Sequence, residues 1–250
     1  MFIKTEAIVL RKTFYNDSDA ILTLFSKKMG KISAYARGAR KPRTMISSVA
    51  HPFIYGEFVL RGKPDIYSIS SAEIIDSNYS IREDLKKLSY ASYFLELCRS
   101  SIHEGMTNNR LFSLTVETLE KMNHEGCDLD KIKLAYEIKL LNFSGLKPEV
   151  SKCLKCGINN IEALTVFSIA DGGVICRDCA DERQKQGGIA VSKQFIHLIR
   201  YISEKDVDVI CRTKINAGMV RHLDKIFELY IKYHMDIKSF KSLDFLKTIQ

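Results

Sequence analysis

The first eighty residues alternate apolar and polar positions in short runs, which is the pattern of half-buried β-strands. Turn-forming residues such as Met29-Gly30 and the segment 61–65 separate the runs. Five strands are predicted over residues 5–10, 21–25, 31–37, 53–60 and 66–74. Five short strands joined by cationic loops predict a small closed barrel. An OB-fold and an SH3-like barrel give similar strand patterns, and the periodicity does not separate them.

Beyond residue 80 the apolar positions recur at helical spacing, as in Ala91, Leu95 and Cys98. Capping residues then mark where the helices begin. Helices are predicted from Leu88, from Asn108, from Asp128 or Asp130, from Ser192 and from Asn216, with a short last helix over 239–250. The fold class is therefore α+β and multidomain. A barrel over 1–79 precedes an all-α domain over 80–250, which carries an insertion at about 149–185.

The insertion contains two C-x-x-C pairs separated by nineteen residues: Cys153 and Cys156, then Cys176 and Cys179. This spacing is typical of a zinc ribbon. Four thiolates complete a tetrahedral zinc sphere and leave no position for water, so one structural Zn²⁺ is predicted. The alternatives are a redox-active cysteine pair and four unligated thiols. A redox-active pair is typical of a single C-x-x-C motif in a βαβ unit.

Three further cysteines, Cys98, Cys127 and Cys211, have no such spacing. They are predicted to be ordinary buried thiols. The first residues are interrupted by charges and no run approaches a membrane span, so a cytosolic protein without membrane contact is predicted. Structural disulfides are not expected in that compartment.

Positively charged residues are concentrated in one segment of the predicted barrel, which makes it a candidate binding site for an anion. The chain has a formal net charge of +8, and the segment 26–44 contains seven cations and no acid. Alternation within it places Tyr35 and Arg37 on the outer face of the third strand. Cations beside an aromatic ring suit a single-stranded nucleic acid. The candidate DNA-binding residues are Lys27, Lys28, Lys31, Tyr35, Arg37, Arg40, Lys41 and Arg43, followed by Arg11, Lys12, Arg61 and Lys63 on charge alone. A solvated charge run is the alternative.

Several catalytic motifs are absent from the sequence, including G-x-x-x-x-G-K-[ST], H-E-x-x-H and G-x-S-x-G. A nucleotide-driven motor is therefore not predicted, and the chain is interpreted as not an enzyme. Two acid pairs, Asp17/Asp19 and Asp206/Asp208, leave a magnesium-dependent nuclease open as an alternative. Such pairs are more often turn residues and helix caps.

Two groups of motifs are specific in combination. The first is TEAIVLRK, followed by NDSD, ILTLFS and ARGARKPRT. The second is LNFSGLKP, followed by C-x-x-C-G, Gly172-Gly173 and the second cysteine pair. In this order, from Thr5 to Cys179, they resemble the RecO family of bacterial DNA repair proteins. The last seventy residues match that family only as helices.

The resemblance implies an N-terminal OB-fold and a helical domain with a zinc module. It also implies binding to single- and double-stranded DNA and annealing of complementary strands without ATP. Further implications are a RecR partner, the acidic tail of the single-strand-binding protein, and help in loading the recombinase onto coated single strands in the bacterial cytoplasm, at the nucleoid. The competing hypotheses are an RNA-binding barrel and ribbon factor, a metal-dependent nuclease, and a structural adaptor.

Overall fold

The computed structural model describes residues 2–63, 66–124, 126 and 128–249. Pro64 and Asp65 of the predicted turn, and the predicted buried thiol Cys127, lie outside the described residues. The chain divides into two compact units, Met1–Glu125 with Phe240–Gln250 and Gly126–Ser239. No helix in the described ranges is long and apolar enough to cross a membrane.

The first unit contains a closed barrel with the strand order β1-β2-β3-β5-β4. The strands are β1 Phe2–Phe14, β2 Ala20–Ser26, β3 Gly30–Ala36, β4 Tyr55–Lys63 and β5 Ile66–Asp76. β1 closes the barrel because it pairs with β2 along its second half and with β4 along its first half. β3 and β5 run parallel, whereas the other neighbouring strands are antiparallel. This five-stranded Greek-key arrangement is an OB-fold, which resolves the choice left open by periodicity.

Alternate side chains fill the barrel, as the strand pattern predicted. Ile32, Ala34 and Ala36 of β3 are buried in the core, and the residues between them lie outward. β1 departs from this alternation because Ile8, on its outer face, is buried as well. Its partner Phe25 packs edge-on against a helical phenylalanine, Phe112, with ring centroids 5.4 Å apart. Part of the outer barrel surface is thus covered by helices of the same unit.

The predicted start of the fourth strand at Phe53 is wrong. Phe53 has a φ of +75°, a left-handed conformation that interrupts extended backbone, so β4 begins at Tyr55. A short helix that the periodicity did not predict, α1 Met45–Val49, precedes it. Thr44 caps α1 by accepting a hydrogen bond from the backbone of Ser47, and the Ser47 side chain accepts from the Thr44 backbone in return.

The predicted helix starts are largely confirmed. Beyond α1 the helices are α2 Ser80–Glu83, α3 Leu85–Ser101, α4 Asn109–Asn123, α5 Leu129–Phe143, α6 Glu182–Gly187, α7 Lys193–Glu204, α8 Val207–Arg212, α9 Ala217–His234 and α10 Lys241–Ile249. Asn108, Asp128, Ser192 and Asn216 each cap a helix with a side-chain oxygen. α3 begins three residues before the predicted Leu88, because Asp84 caps it there.

Within the first unit, α10 packs against α3. Phe240, just before α10, meets Tyr93 edge-on with ring centroids 5.1 Å apart. The Ser242 hydroxyl donates to the Glu96 carboxylate at 2.6 Å. Both aromatic rings are fully buried, so this contact is part of the core of the unit that holds the barrel.

The second unit is built around α5, which is buried on most of its surface and contacts α7, α8 and α9. A buried Lys133 ammonium pairs with Glu137 on the same helix at 2.8 Å and with Asp224 of α9. The same unit carries a three-stranded sheet of order β7-β6-β8, with β6 Leu164–Ser168, β7 Gly173–Cys176 and β8 Ile189–Ala190. β6 and β7 lie inside the cysteine insertion, with β6 between the two C-x-x-C pairs.

Candidate nucleic-acid interface and metal centre

The basic segment 26–44 is divided by β3 into two separate groups. One group lies at the β2–β3 turn and the other follows the opposite end of β3. A seven-residue strand is about 20 Å long, so the two groups do not form one continuous cluster along the strand. The second group, with Arg37, Arg40, Lys41 and Arg43, is exposed.

The group at the β2–β3 turn is engaged with its own unit. The Lys27 ammonium lies 3.0 Å from a carboxylate oxygen of Glu6. The Lys28 ammonium donates to the Lys4 carbonyl at 2.7 Å. Lys31, whose side chain is only 15% exposed, donates to a backbone carbonyl at the end of α3 at 3.2 Å. Contacts between phosphate and these three side chains would have to compete with these bonds.

Two hydrogen bonds tie the segment after β3 to neighbouring parts of the barrel. The Lys12 ammonium donates to the Ala39 carbonyl at 3.1 Å, and the Arg40 guanidinium donates to the Asn16 carbonyl at 3.0 Å. Together with α1 this segment borders a cavity of about 560 Å³, which we call the loop groove. Its lining includes Lys12, Phe14, Arg40, Lys41, Arg43 and His51. The groove therefore offers several cations to one anionic chain.

Two aromatic residues missed by the sequence analysis lie beside this groove. The side chains of Phe14 and Tyr15 are each 65% exposed. The Arg40 guanidinium carbon lies 4.7 Å from the centroid of the Phe14 ring, and Tyr15 meets Tyr35 edge-on at 5.8 Å. Exposed rings next to cations are the usual stacking platforms for unpaired bases. The signal in the sequence was an aromatic pair at a strand–turn boundary.

The Asp19 carboxylate holds Tyr35 in place and also contacts the first residues after β3. The Tyr35 hydroxyl donates to one Asp19 oxygen, and the Gly38 backbone N–H donates to the other at 2.7 Å. The Asn16 amide also donates to Asp19, at 2.9 Å. These donors lower the pKa of Asp19 to about 2, with the Tyr35 bond contributing most. Asp19 therefore orients an aromatic ring and anchors the turn at Gly38.

We expect Asp19→Asn to lower the melting temperature at neutral pH, because the neutral amide accepts these hydrogen bonds less strongly. The folded-state pKa is below the ordinary value of 3.8, so the ionised carboxylate stabilises the fold above about pH 4. That contribution is lost as pH falls towards 2. Melting curves of both proteins from pH 7 to pH 2 should therefore converge at the acid end. A constant difference across that range would contradict the assignment.

The residues chosen on charge alone fall in different places. Arg61 is exposed on β4 opposite Ser68, and Ser68 is opposite Tyr35, so all three lie in one row across the outer barrel surface. Lys12 lines the loop groove, whereas Arg11 lines a neighbouring cavity. The side chain of Lys63 lies outside the described residues.

The four spaced cysteines of the second unit converge on one point. The sulfur atoms of Cys153, Cys156, Cys176 and Cys179 all lie within 4.8 Å of one another, and the Cys156–Cys176 pair is 3.7 Å apart. Sulfur ligands 2.3 Å from a central zinc ion would be about 3.8 Å apart in a tetrahedron. The donor set and its spacing fit a single metal ion.

Backbone N–H groups at the first C-x-x-C pair favour the thiolate form of Cys153, which is the form that binds a metal. The N–H groups of Lys155 and Cys176 point at the Cys153 sulfur, at 3.4 and 3.3 Å. Burial raises the pKa of the Cys153 thiol, but hydrogen bonds from the backbone N–H groups of Cys156, Cys176 and Lys155 outweigh burial and lower the pKa to about 6. Gly157, with a φ of +75°, closes the first C-x-x-C turn because its backbone N–H donates to the Cys153 carbonyl at 3.0 Å.

Two models of the same protein family match the chain, one over the barrel and one over most of the remaining residues. The family model described as Recombination protein O N terminal matches residues 1–78, and the one described as Recombination protein O C terminal matches residues 82–244. The chain belongs to the RecO family. The two RecO models meet between residues 78 and 82, and we propose that the boundary between the sequence domains 1–79 and 80–250 lies there.

Curated relatives of the RecO family match over nearly their whole length. The protein named DNA repair protein RecO from Alkaliphilus metalliredigens is 39% identical over 249 residues, covering 100% of both chains. The RecO protein of Acetivibrio thermocellus is 31% identical, covering 99% of this chain and 97% of the relative. That of Bacillus subtilis is also 31% identical, covering 100% and 97%. The resemblance noted from the motifs is thereby confirmed.

Proposed function

We propose that this RecO family chain is a non-enzymatic DNA repair protein that binds single- and double-stranded DNA and anneals complementary strands without ATP. In this role it helps to load the recombinase onto coated single-stranded DNA. The observation that carries the proposal is the loop groove, where Arg40, Lys41 and Arg43 project beside the exposed Phe14 ring of an OB-fold. OB-folds bind oligonucleotides on the face of strands 2 and 3 and with the loops between strands 1 and 2 and between strands 4 and 5, and Phe14 lies at the start of the first of these loops.

The physical basis of annealing is charge neutralisation. Two complementary strands repel each other through their phosphates, and cations that contact both lower this repulsion while releasing counterions. Exposed rings such as Phe14 and Tyr15 hold bases unstacked and available for pairing. Neither step consumes a nucleotide triphosphate, in keeping with a sequence that lacks a phosphate-binding loop.

The function is tested by mixing two complementary, fluorescently labelled single strands with the protein in the absence of ATP. We expect annealing faster than the protein-free rate, and we expect the rate to fall as salt rises, because phosphate contacts weaken with salt. A parallel reaction in magnesium reports substrate integrity. Degraded DNA would establish the nuclease alternative, and stronger binding to RNA without DNA annealing would establish an RNA-binding factor.

The candidate acids support the non-enzymatic proposal. Asp19 already accepts hydrogen bonds from Tyr35, Gly38 and Asn16, which occupy both its oxygens. Asp208 pairs with Arg212 at 2.7 Å within α8. Asp19 and Asp208 thus have the contacts of a turn residue and of a helix residue, which is the more frequent role of such acids.

We propose further that the four cysteines bind one structural Zn²⁺. Bound there, the ion would join the two hooks of the second unit, and four thiolate ligands leave no position for a reactive water. The proposed protein partners, RecR and the acidic tail of the single-strand-binding protein, rest on the RecO family alone, as does a location in the bacterial cytoplasm at the nucleoid.

A further inference from the structure

A second cavity lies in the first unit, where the barrel meets α2, α3 and the start of α10. It has a volume of about 710 Å³, and we call it the junction cavity. One wall is apolar and includes the buried Leu10, Phe53 and Leu95. The volume is in the range of cavities that hold small ligands or part of a larger one.

Cations dominate the polar lining of the junction cavity. They are contributed by Arg11, Lys12, Arg82, Arg99 and Lys241. Among the described residues that line it, Glu96 alone is acidic, and its carboxylate already accepts from the Ser242 hydroxyl at 2.6 Å. Five cations facing one engaged carboxylate leave a positive potential, and such a site attracts an anion.

One of these cations, Arg82, is fixed in position at the cavity wall. The Arg82 guanidinium donates to the Pro52 carbonyl at 2.8 Å, which holds its charge at the cavity wall. Burial, and then the nearby charges of Lys12 and Arg82, lower the pKa of His51. Burial is the larger cause, and the two cations add to it.

The junction cavity adjoins the loop groove. Lys12 and His51 line both, so the cations around Arg40 and those around Arg99 lie on either side of these two residues. A polyanion lying in the loop groove can therefore extend past these two residues without leaving cationic surface. Adjoining cationic surfaces of this kind therefore suit a polynucleotide better than a free mononucleotide.

We infer that the junction cavity binds the sugar–phosphate backbone of a single strand that continues from the loop groove, with Arg99 and Lys241 as phosphate contacts. This inference rests on the proposed function and extends its site from the barrel to the helices of the same unit. None of the sequence patterns identified Arg82, Arg99 or Lys241, because they are separated in the chain and are brought together only by α2, α3 and α10.

The test is the dependence of affinity on strand length. Wild-type protein and the double variant Arg99→Ala/Lys241→Ala are titrated with fluorescent oligothymidylates of increasing length. Short strands, which fill only the loop groove, should bind both proteins equally. Long strands should bind the variant about 25-fold more weakly at 0.1 M salt, with a log–log salt slope smaller by about 1.4, because two phosphate contacts are lost.

Matched variants keep the result interpretable. Arg99→Lys/Lys241→Arg retains both charges and should bind like the wild type, and Lys86→Ala/Arg110→Ala removes two exposed cations that do not line the cavity. Melting curves verify that each variant is folded. Unchanged affinity for long strands, or an equal loss at every length, would overturn the inference. Failure of the wild type to bind any strand would instead refute the proposed function.

Discussion

Alanine at Arg37, Arg40, Lys41 and Arg43 together is expected to weaken binding to a single-stranded oligonucleotide several hundred-fold at 0.1 M salt. These side chains are exposed beyond the end of β3, and three of them line the loop groove. Each lost phosphate contact removes about 0.7 from the log–log salt slope on single strands, so the slope should fall by about 3. Fluorescence anisotropy across a salt series measures both quantities, and annealing of complementary strands should slow in parallel.

The matched control removes the same charge elsewhere. Lys86, Arg110, Lys205 and Lys238 are exposed and lie outside the loop groove. Their replacement by alanine lowers the net charge from +8 to +4, as the test variant does. Similar losses in both variants would show that net charge, and not this groove, determines binding. Annealing that survives in the test variant would move the site to another surface.

Serine at Cys153 or at Cys176 is expected to release the metal and to destabilise the second unit by more than about 4 kcal/mol. Loss of a structural metal is one of the few single changes with an effect of this size, because the binding free energy is part of the folding free energy. Metal content is measured by mass spectrometry on the purified proteins. Thermal unfolding then reports the change in stability, with and without a chelator.

Cys211→Ser provides the control for this prediction, because Cys211 lies outside the four-cysteine group. This variant should keep its metal and should lose stability only in proportion to its partly buried side chain. Full metal occupancy in both Cys153→Ser and Cys176→Ser would refute the zinc assignment. A chelator that removes metal without changing the unfolding of the wild type would show that the ion does not hold the unit together.

Local signals in the sequence accounted for much of the fold. Helix caps such as Asn108, Ser192 and Asn216 are short-range features, because a side chain bonds the backbone two or three residues further on. The alternation of β3 was equally readable, since burial on one face of a strand imposes a period of two. The four-cysteine group was predictable because its ligand spacing reflects the geometry of the hooks.

Long-range features were not readable from the sequence. Phe53 is a residue type that favours strands, but it has a left-handed backbone conformation. Its backbone N–H donates to the carbonyl of Val9, a residue far away in the sequence. The basic segment 26–44 reads as one cluster, yet β3 separates its two halves. The engagement of Lys31 with the end of α3 depends on a residue 68 positions away. Periodicity carries no information about such partners.

The order of the two compact units along the chain has a consequence for biosynthesis. Phe240 and α10 complete the core around Tyr93, yet they follow the whole second unit in the sequence. On the ribosome, the nascent chain must therefore carry an exposed aromatic surface on α3 until residues 126–239 have been translated. The barrel strands are all available early, so barrel closure and burial of Tyr93 should be separate steps in time, with the cysteine-bearing unit emerging between them.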